Sequence, residues 1–227
     1  MRHFPISKHG LGYIGVPLFL SLLSFAFSEY LAFFFIFLTI LVTYFFRDPK
    51  RLVPDNDSLV LSPADGVVTS VEVVDSPLAD GTRLNRVSVF LNVLNVHVNR
   101  SPVTGVVKSV KYKPGEFLNA LKEESVARNE MIRTVFLSQY GNYTLITEQL
   151  AGLIAKRAVC DLQPGDEVKV GSRMGMIKFG SRVNTYFPLD VKPLVVKGQP
   201  VSAGQTLFAY LDPKLSEGSQ NFKYDKI

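Results

Sequence analysis

Residues 12–46 read GYIGVPLFLSLLSFAFSEYLAFFFIFLTILVTYFF, and Glu29 is the only charged residue among them. One bilayer crossing takes about 20 apolar residues. The run is therefore too long for one crossing and slightly short for two full ones. Ser28-Glu29-Tyr30 interrupts it near the middle, and a carboxylate in hydrocarbon is costly, so Glu29 is expected at an interface or a turn. The pattern predicts two short helices, at about 13–27 and 31–46, in a hairpin or shallow wedge; a single crossing stays open. A cleaved signal peptide fits poorly, because the apolar stretch is overlong and has no small-residue cleavage site. Basic residues flank both ends, Arg2 and Lys8 before, Arg47, Lys50 and Arg51 after. The positive-inside rule then places both ends, and the rest of the chain, on the cytoplasmic side of the cell membrane. The single cysteine, Cys160, agrees with a reducing compartment and reads as a small buried hydrophobe.

The chain divides into a membrane-associated helical segment, 1–46, and a further domain, 47–227. The net charge of +5 is scattered, with no Lys/Arg run. Beside an apolar segment this points to anionic lipid headgroups rather than nucleic acid. From Arg47 onward short β-like runs alternate with Gly, Pro and Asp, at 67–74, 86–91, 103–112, 133–137, 143–148, 153–162, 174–179, 183–187 and 206–211. Only 116–130 has a helical pattern, so the fold class is mostly β. Gly165-Asp166-Glu167-Val168-Lys169-Val170-Gly171 and Gly198-Gln199-Pro200-Val201-Ser202-Ala203-Gly204 share the form G-x-x-V-x-x-G followed by a strand. Such a pseudo-repeat resembles barrel-sandwich hybrid folds, the class of biotinyl and lipoyl carriers. Each Gly suits a turn and each Val can point into a core.

The polar residues with chemical potential are few. His97 is the only histidine after the apolar run; with no cysteine cluster, this argues against a zinc hydrolase. Set among Asn95, Asn99 and Arg100, His97 reads equally as an acid/base or as a structural residue. Asp65, in Ser62-Pro63-Ala64-Asp65-Gly66, reads locally as an Asp-Gly turn. Gly180-Ser181 lies between two strand-like runs and between the two repeats. The glycine permits strained backbone and open approach to its carbonyl, but a β-bulge is the better account of the local sequence taken alone.

Several segments occur in a telling order: Phe45-Phe46-Arg47-Asp48-Pro49, Ser62-Pro63-Ala64-Asp65-Gly66, Asn95-Val96-His97-Val98-Asn99-Arg100, Pro114-Gly115-Glu116-Phe117-Leu118-Asn119-Ala120, Asn129-Glu130 and Phe179-Gly180-Ser181-Arg182-Val183. The series resembles the short form of the phosphatidylserine decarboxylases over nearly the whole chain. The resemblance implies a self-cleaving proenzyme cut between Gly180 and Ser181. Ser181 becomes a covalent pyruvoyl group, so neither a metal nor pyridoxal phosphate is needed. His97 acts as base with Asp65 orienting it, in a Ser-His-Asp arrangement. It further implies decarboxylation of phosphatidylserine to phosphatidylethanolamine, with the pyruvoyl group as electron sink and His97 as the proton donor to the carbanion.

The partners so implied are the phospholipid and the membrane surface. The chains 1–180 and 181–227 stay associated, and the enzyme is a homo-oligomer. Some family members carry a second histidine where Arg100 stands, so His97 is expected to serve both stages. Arg182 replaces the threonine of many relatives and is a candidate contact for a carboxylate or phosphate. The rival reading is an unprocessed, membrane-anchored binding or carrier module of the barrel-sandwich type. Lys178 would be its modified lysine, but it falls in a strand-like run and not at a hairpin tip.

Overall fold

The computed structural model describes residues 5–122, 124–152, 157–178, 180–217 and 223–227. The apolar run forms two helices, α1 (Leu11–Ser24) and α2 (Glu29–Phe45), packed against each other. Ser28 is extended and Glu29 occupies the first turn of α2, where the helix dipole favours a negative charge. Within the helices Ser21, Ser24, Thr39 and Thr43 donate their hydroxyls to carbonyls one turn back, so these polar groups are satisfied without water. The helices have 14 and 17 residues. At about 1.5 Å per residue neither covers the roughly 30 Å of a bilayer core. No helix among the described residues is long and apolar enough to cross a membrane. The single crossing fails for this reason, since the turn at Glu29 splits the run.

The remainder is β-rich. Its strands are β1 (Leu52–Pro54), β2 (Leu59–Leu61), β3 (Gly66–Asp75), β4 (Arg83–Leu91), β5 (Val98–Arg100), β6 (Gly105–Lys113), β7 (Met131–Ser138), β8 (Thr144–Leu150), β9 (Ala158–Cys160), β10 (Glu167–Val168), β11 (Arg173–Ile177), β12 (Ser181–Pro188), β13 (Pro200–Val201), β14 (Leu207–Tyr210) and β15 (Tyr224–Lys226). An eight-stranded sheet in the order β10-β6-β7-β8-β12-β4-β3-β13 curls into a half-barrel. Smaller sheets, β5-β11-β9 and β14-β2, lie against it, and β1 pairs with β15. The main core includes Val87, Val89, Phe136, Leu145, Val183 and Phe187 from the large sheet, with Met174, Ile177 and Phe208 from the smaller ones.

The predicted strands are found, with two limits: 153–156 and 179 lie outside the described residues. Of the helix expected at 116–130, only α3 (Glu124–Arg128) forms. The segment before it is held instead by main-chain bonds from Glu116 N to Arg128 O and from Glu130 N to Glu116 O.

The pseudo-repeat is present and larger than the two glycine-rich turns. Gly165, Gly171, Gly198 and Gly204 all take positive φ, and Val168 and Val201 are both buried in the main core. Each turn docks on an equivalent upstream segment. Gly204 N donates to Ser62 O, and Gly171 N donates to Ser101 O. Ser62 and Ser101 each donate a hydroxyl to the carbonyl two residues on. Asp65 Oδ1 accepts from Ala203 N, while Thr104 Oγ1 accepts from Val170 N. Ser62-Pro63-Ala64-Asp65-Gly66 and Ser101-Pro102-Val103-Thr104-Gly105 are thus structural counterparts, with Asp65 in the place of Thr104.

The base of the helical hairpin is bound into the β domain. Ile6 bridges Arg47, and Phe45, Phe46 and Met176 form one buried cluster. Asp48, 1% exposed, pairs with both Arg100 and Arg173. Arg100 also donates to Gly171 O and Pro49 O. Its guanidinium is therefore spent on tying the hairpin base to the repeat.

Candidate active site

Ser181 opens β12, opposite Leu91 of β4. Successive strand residues face opposite sides, so Ser181, Val183, Thr185 and Phe187 share one face. Val183 and Phe187 belong to the main core, and the Ser181 hydroxyl therefore enters the same interior. Gly180, just before the strand, has φ +50, and nothing lies within 4 Å of where its side chain would be. An L-residue is strained in that conformation, so glycine is what lets the chain present its carbonyl there.

His97 immediately precedes β5, and its carbonyl accepts a bond from Ile177 N at 3.3 Å. The imidazole is fully buried and lies against the Phe45 ring, with centroids 4.3 Å apart. Nδ1 is 2.9 Å from Asn95 O. A carbonyl can only accept, so Nδ1 carries the proton and Nε2 is left with a lone pair. Burial pushes the pKa down to about 4, with the Arg47 charge adding to it and the Asn95 bond opposing it. At neutral pH the ring is an uncharged base.

Asn99 follows two residues later and so faces the same way as His97. Its Oδ1 accepts from Gln149 Nε2 at 2.8 Å. Gln149 lies beside Val183 in the register of β8 with β12, on the Ser181 face. This bond brings the His97-Asn99 edge over the interior that holds Ser181. Ser181 Oγ, His97 Nε2, Asn99 Nδ2, Gln149 Oε1, Thr147 Oγ1 and Thr185 Oγ1 are all buried without a hydrogen-bond partner. Each such group costs roughly 1–3 kcal/mol. Most of the unpartnered buried side-chain atoms among the described residues lie along this interior, from Ser181 to Thr185 and on the facing β5 edge, with others at Ser70 and Arg51.

Two of the candidate residues are engaged elsewhere in this structure. Asp65 does not orient His97. Its carboxylate accepts two bonds from Arg51, at 2.9 and 2.7 Å, and one from Ala203 N at 2.8 Å. The orienting acceptor on His97 is the Asn95 carbonyl. Arg182 does not share the Ser181 face. Strand alternation sends it to the other side of the sheet, where it donates to Asn184 Oδ1 and Ser88 Oγ and is 3% exposed. Lys178, the lysine of the carrier reading, rests its ammonium 4.7 Å from the centre of the Tyr13 ring.

Asn99 and Gln149 were not singled out from the sequence. Asn99 had a signal, since a residue two beyond His97 on an extended segment faces the same way. Gln149 had a weaker one: Leu145, Thr147 and Gln149 alternate onto one face of β8, and two of them are polar.

Fold and site together define a mostly β protein that holds a buried serine behind a permissive glycine, with a buried neutral imidazole on the neighbouring β5 edge that Asn99 ties to Gln149. The family model for phosphatidylserine decarboxylase matches residues 38–209. A phosphatidylserine decarboxylase proenzyme of Anaplasma phagocytophilum (strain HZ) is 48% identical over 225 residues, 99% of both chains. Proenzymes of the same name from Ehrlichia ruminantium (strain Gardel) and Wolbachia pipientis wMel are 46% identical over 207 residues and 44% over 211, each covering 91% of both chains. The chain belongs to the phosphatidylserine decarboxylase family, a family of carboxy-lyases.

Proposed function

We propose that the chain cuts itself between Gly180 and Ser181 and then decarboxylates phosphatidylserine to phosphatidylethanolamine. The observation that carries this reading is that Ser181 Oγ and His97 Nε2 are both buried without a partner, while Asn99, two residues from His97, is bonded to Gln149 on the Ser181 face of the sheet. His97 Nε2 takes the hydroxyl proton as Ser181 Oγ attacks the Gly180 carbonyl carbon. The C–N bond breaks, leaving an ester and a free amine on residue 181. Loss of the Ser181 α-proton and cleavage of the Cβ–O bond then release a chain ending in the Gly180 carboxylate. The dehydroalanine left at 181 takes up water and loses ammonia, giving a pyruvoyl cap on 181–227.

The site suits that group. Its parent hydroxyl is sequestered from solvent, and Asn99 and Gln149 supply hydrogen-bonding atoms not yet used. When formed, the pyruvoyl carbonyl supplies the electron sink for the carbanion that loss of carbon dioxide leaves. His97 is the group placed to move a proton in this stage too, since it is the only histidine after the helices. The uncut chain seals Ser181 and His97 completely, which suits an internal first step. Parting of the new ends at 180 and 181 opens a way for the lipid.

The helical hairpin supports action at a membrane. Phe19, Phe27, Tyr30, Phe33 and Phe37 are all exposed by 60% or more, as for a wedge in the interfacial layer. Arg47 and Lys50 at its base suit anionic headgroups and a cytoplasmic catalytic domain, Arg51 being paired with Asp65. Phe45, at the end of α2, touches the His97 ring, so the hairpin and the site are in direct contact. We further expect 1–180 and 181–227 to stay together after the cut, because β12 is hydrogen-bonded between β4 and β8 along its length, and the processed enzyme to be a homo-oligomer.

The intact mass of the purified protein tests the reading. Two chains are expected, 1–180 and a 181–227 chain lighter by one ammonia than its sequence. A single full-length chain that never yields these products under any assay of activity would overturn it.

A further inference from the structure

The segments Pro114–Ala120 and Asn129-Glu130, part of the ordered motif series, lie outside the Ser181, His97, Asn99 and Gln149 group. They converge on the carbonyl that is to be cut. Arg182 faces Leu150 in the register of β12 with β8. Two residues back from Arg182 and two forward from Leu150 of the partner strand, Gly180 and Gly152 come side by side. The Gly180 carbonyl lies directly on the Gly152 backbone: a side chain at 152 would overlap Gly180 O, and its Cβ would stand 3.0 Å from Gly180 C and 3.3 Å from Ala120 Cβ. Because backbone, not a flexible side chain, blocks that space, no rotamer change makes room.

Asn129 holds this contact together. It is fully buried, and its carboxamide makes three bonds. Oδ1 accepts from Leu118 N at 2.9 Å, and Nδ2 donates to Leu118 O at 2.8 Å and to Ala151 O at 2.7 Å. Ala151 N donates to Glu130 O at 2.9 Å. One side chain therefore fixes the loop that carries Ala120 and the strand end that carries Gly152.

We propose that Gly152 is a positioning residue for self-cleavage, with Asn129 as its clamp. Its bare backbone forms the seat of the Gly180 carbonyl and leaves the oxygen room to swing as the carbonyl carbon becomes tetrahedral under attack by Ser181 Oγ. The proposal rests on the cut at Gly180-Ser181 put forward above. Gly152 touches the acyl group to be transferred but supplies no proton and no electron pair.

The test follows the appearance of chains 1–180 and 181–227 by intact mass in the wild type, Gly152→Ala and Asn129→Asp, together with thermal melting and treatment with hydroxylamine, which splits esters. If the wild type does not split, the reading of the cut itself fails. If it does, Gly152→Ala is expected to split about 100-fold more slowly, the scale of an ångström-sized misplacement. It should fold and melt below the wild type by no more than the cost of a local backbone shift, and hydroxylamine should release no fragment because the ester does not form. Splitting at the wild-type rate overturns the proposal. So does a hydroxylamine-labile chain, which would put the block at the elimination. Should Gly152→Ala not fold, Asn129→Asp decides. It keeps the accepting oxygen and loses both donated bonds, and about tenfold slower splitting is expected. An unchanged rate, or unfolding of both variants, overturns the proposal in favour of a folding role.

Discussion

The two faces of β12 are both polar and both buried, yet they are built to opposite ends. On the outer face Arg182 donates to Asn184 and Ser88, while Glu148 accepts from Arg133, Asn184 and the Tyr186 hydroxyl. Burial beside Glu148 pushes the Tyr186 hydroxyl well above its usual pKa, so it remains a donor. On the inner face Ser181, Thr185 and the neighbouring Thr147 and Gln149 keep buried atoms with no partner. A paired polar network holds a sheet in one arrangement. An unpaired one stores capacity for bonds made during a reaction. Buried polarity alone therefore does not mark the inner face; most of the unpartnered buried atoms among the described residues lie on it or on the facing β5 edge, with others at Ser70 and Arg51.

The sharpest way to break this contrast is Ser181→Ala. It removes one unpartnered hydroxyl from the inner face, so splitting should cease while thermal stability stays the same or rises. A chain that still divides at that bond in a mass spectrum sinks the assignment. His97→Ala should slow splitting by about 10²–10⁴-fold, the range of a positioned general base, measured as the rate at which 181–227 appears.

The outer face should behave in reverse. Glu148→Ala leaves Arg133 and Tyr186 without their acceptor, and removing one partner of a buried pair costs about 3–5 kcal/mol. The expected result is a marked loss of stability in denaturant unfolding, with normal splitting in the molecules that remain folded. Full stability with lost splitting would reverse the two faces.

His97 also sets a pH response. Its native pKa of about 4 lies below the ordinary 6.5. Between these values the unfolded chain binds a proton that the native ring refuses, so stability falls as pH drops from 6.5 toward 4 and levels below. The whole effect is about 3 kcal/mol, and His97→Gln should flatten that part of the stability curve. Splitting should lose no rate near pH 6.5, because the base stays neutral there; a rate that halves at pH 6.5 would show that the ring is exposed.

The smallest effect belongs to Asp65→Asn. The carboxylate pairs with Arg51 and caps Ala203 at a position whose counterpart in the repeat is the uncharged Thr104. A loss of about 1–2 kcal/mol in stability is expected, with splitting slowed far less than by His97→Ala. Equal slowing by the two variants would restore Asp65 to the His97 side.

Much of this was legible in the chain. The apolar run broken at Glu29 specifies two short helices, because a carboxylate and the length of hydrocarbon set physical limits wherever the run sits. Alternating apolar residues and turn glycines specify the strands and the repeat through local backbone preference. Gly180-Ser181 and His97 stand out only through the ordered motifs that resemble the family. Only tertiary structure decided who meets whom. Arg182 adjoins Ser181 in sequence and is sent to the opposite face by the pleat. Asp65 is drawn to Arg51 and Ala203, and the role of orienting His97 passes to the Asn95 carbonyl, which has no signature in a sequence because every residue carries one. Gln149, Asn99 and Gly152 reach the site through strand register and cross-sheet packing. Those contacts depend on the whole arrangement of sheets, which no local stretch of the chain encodes.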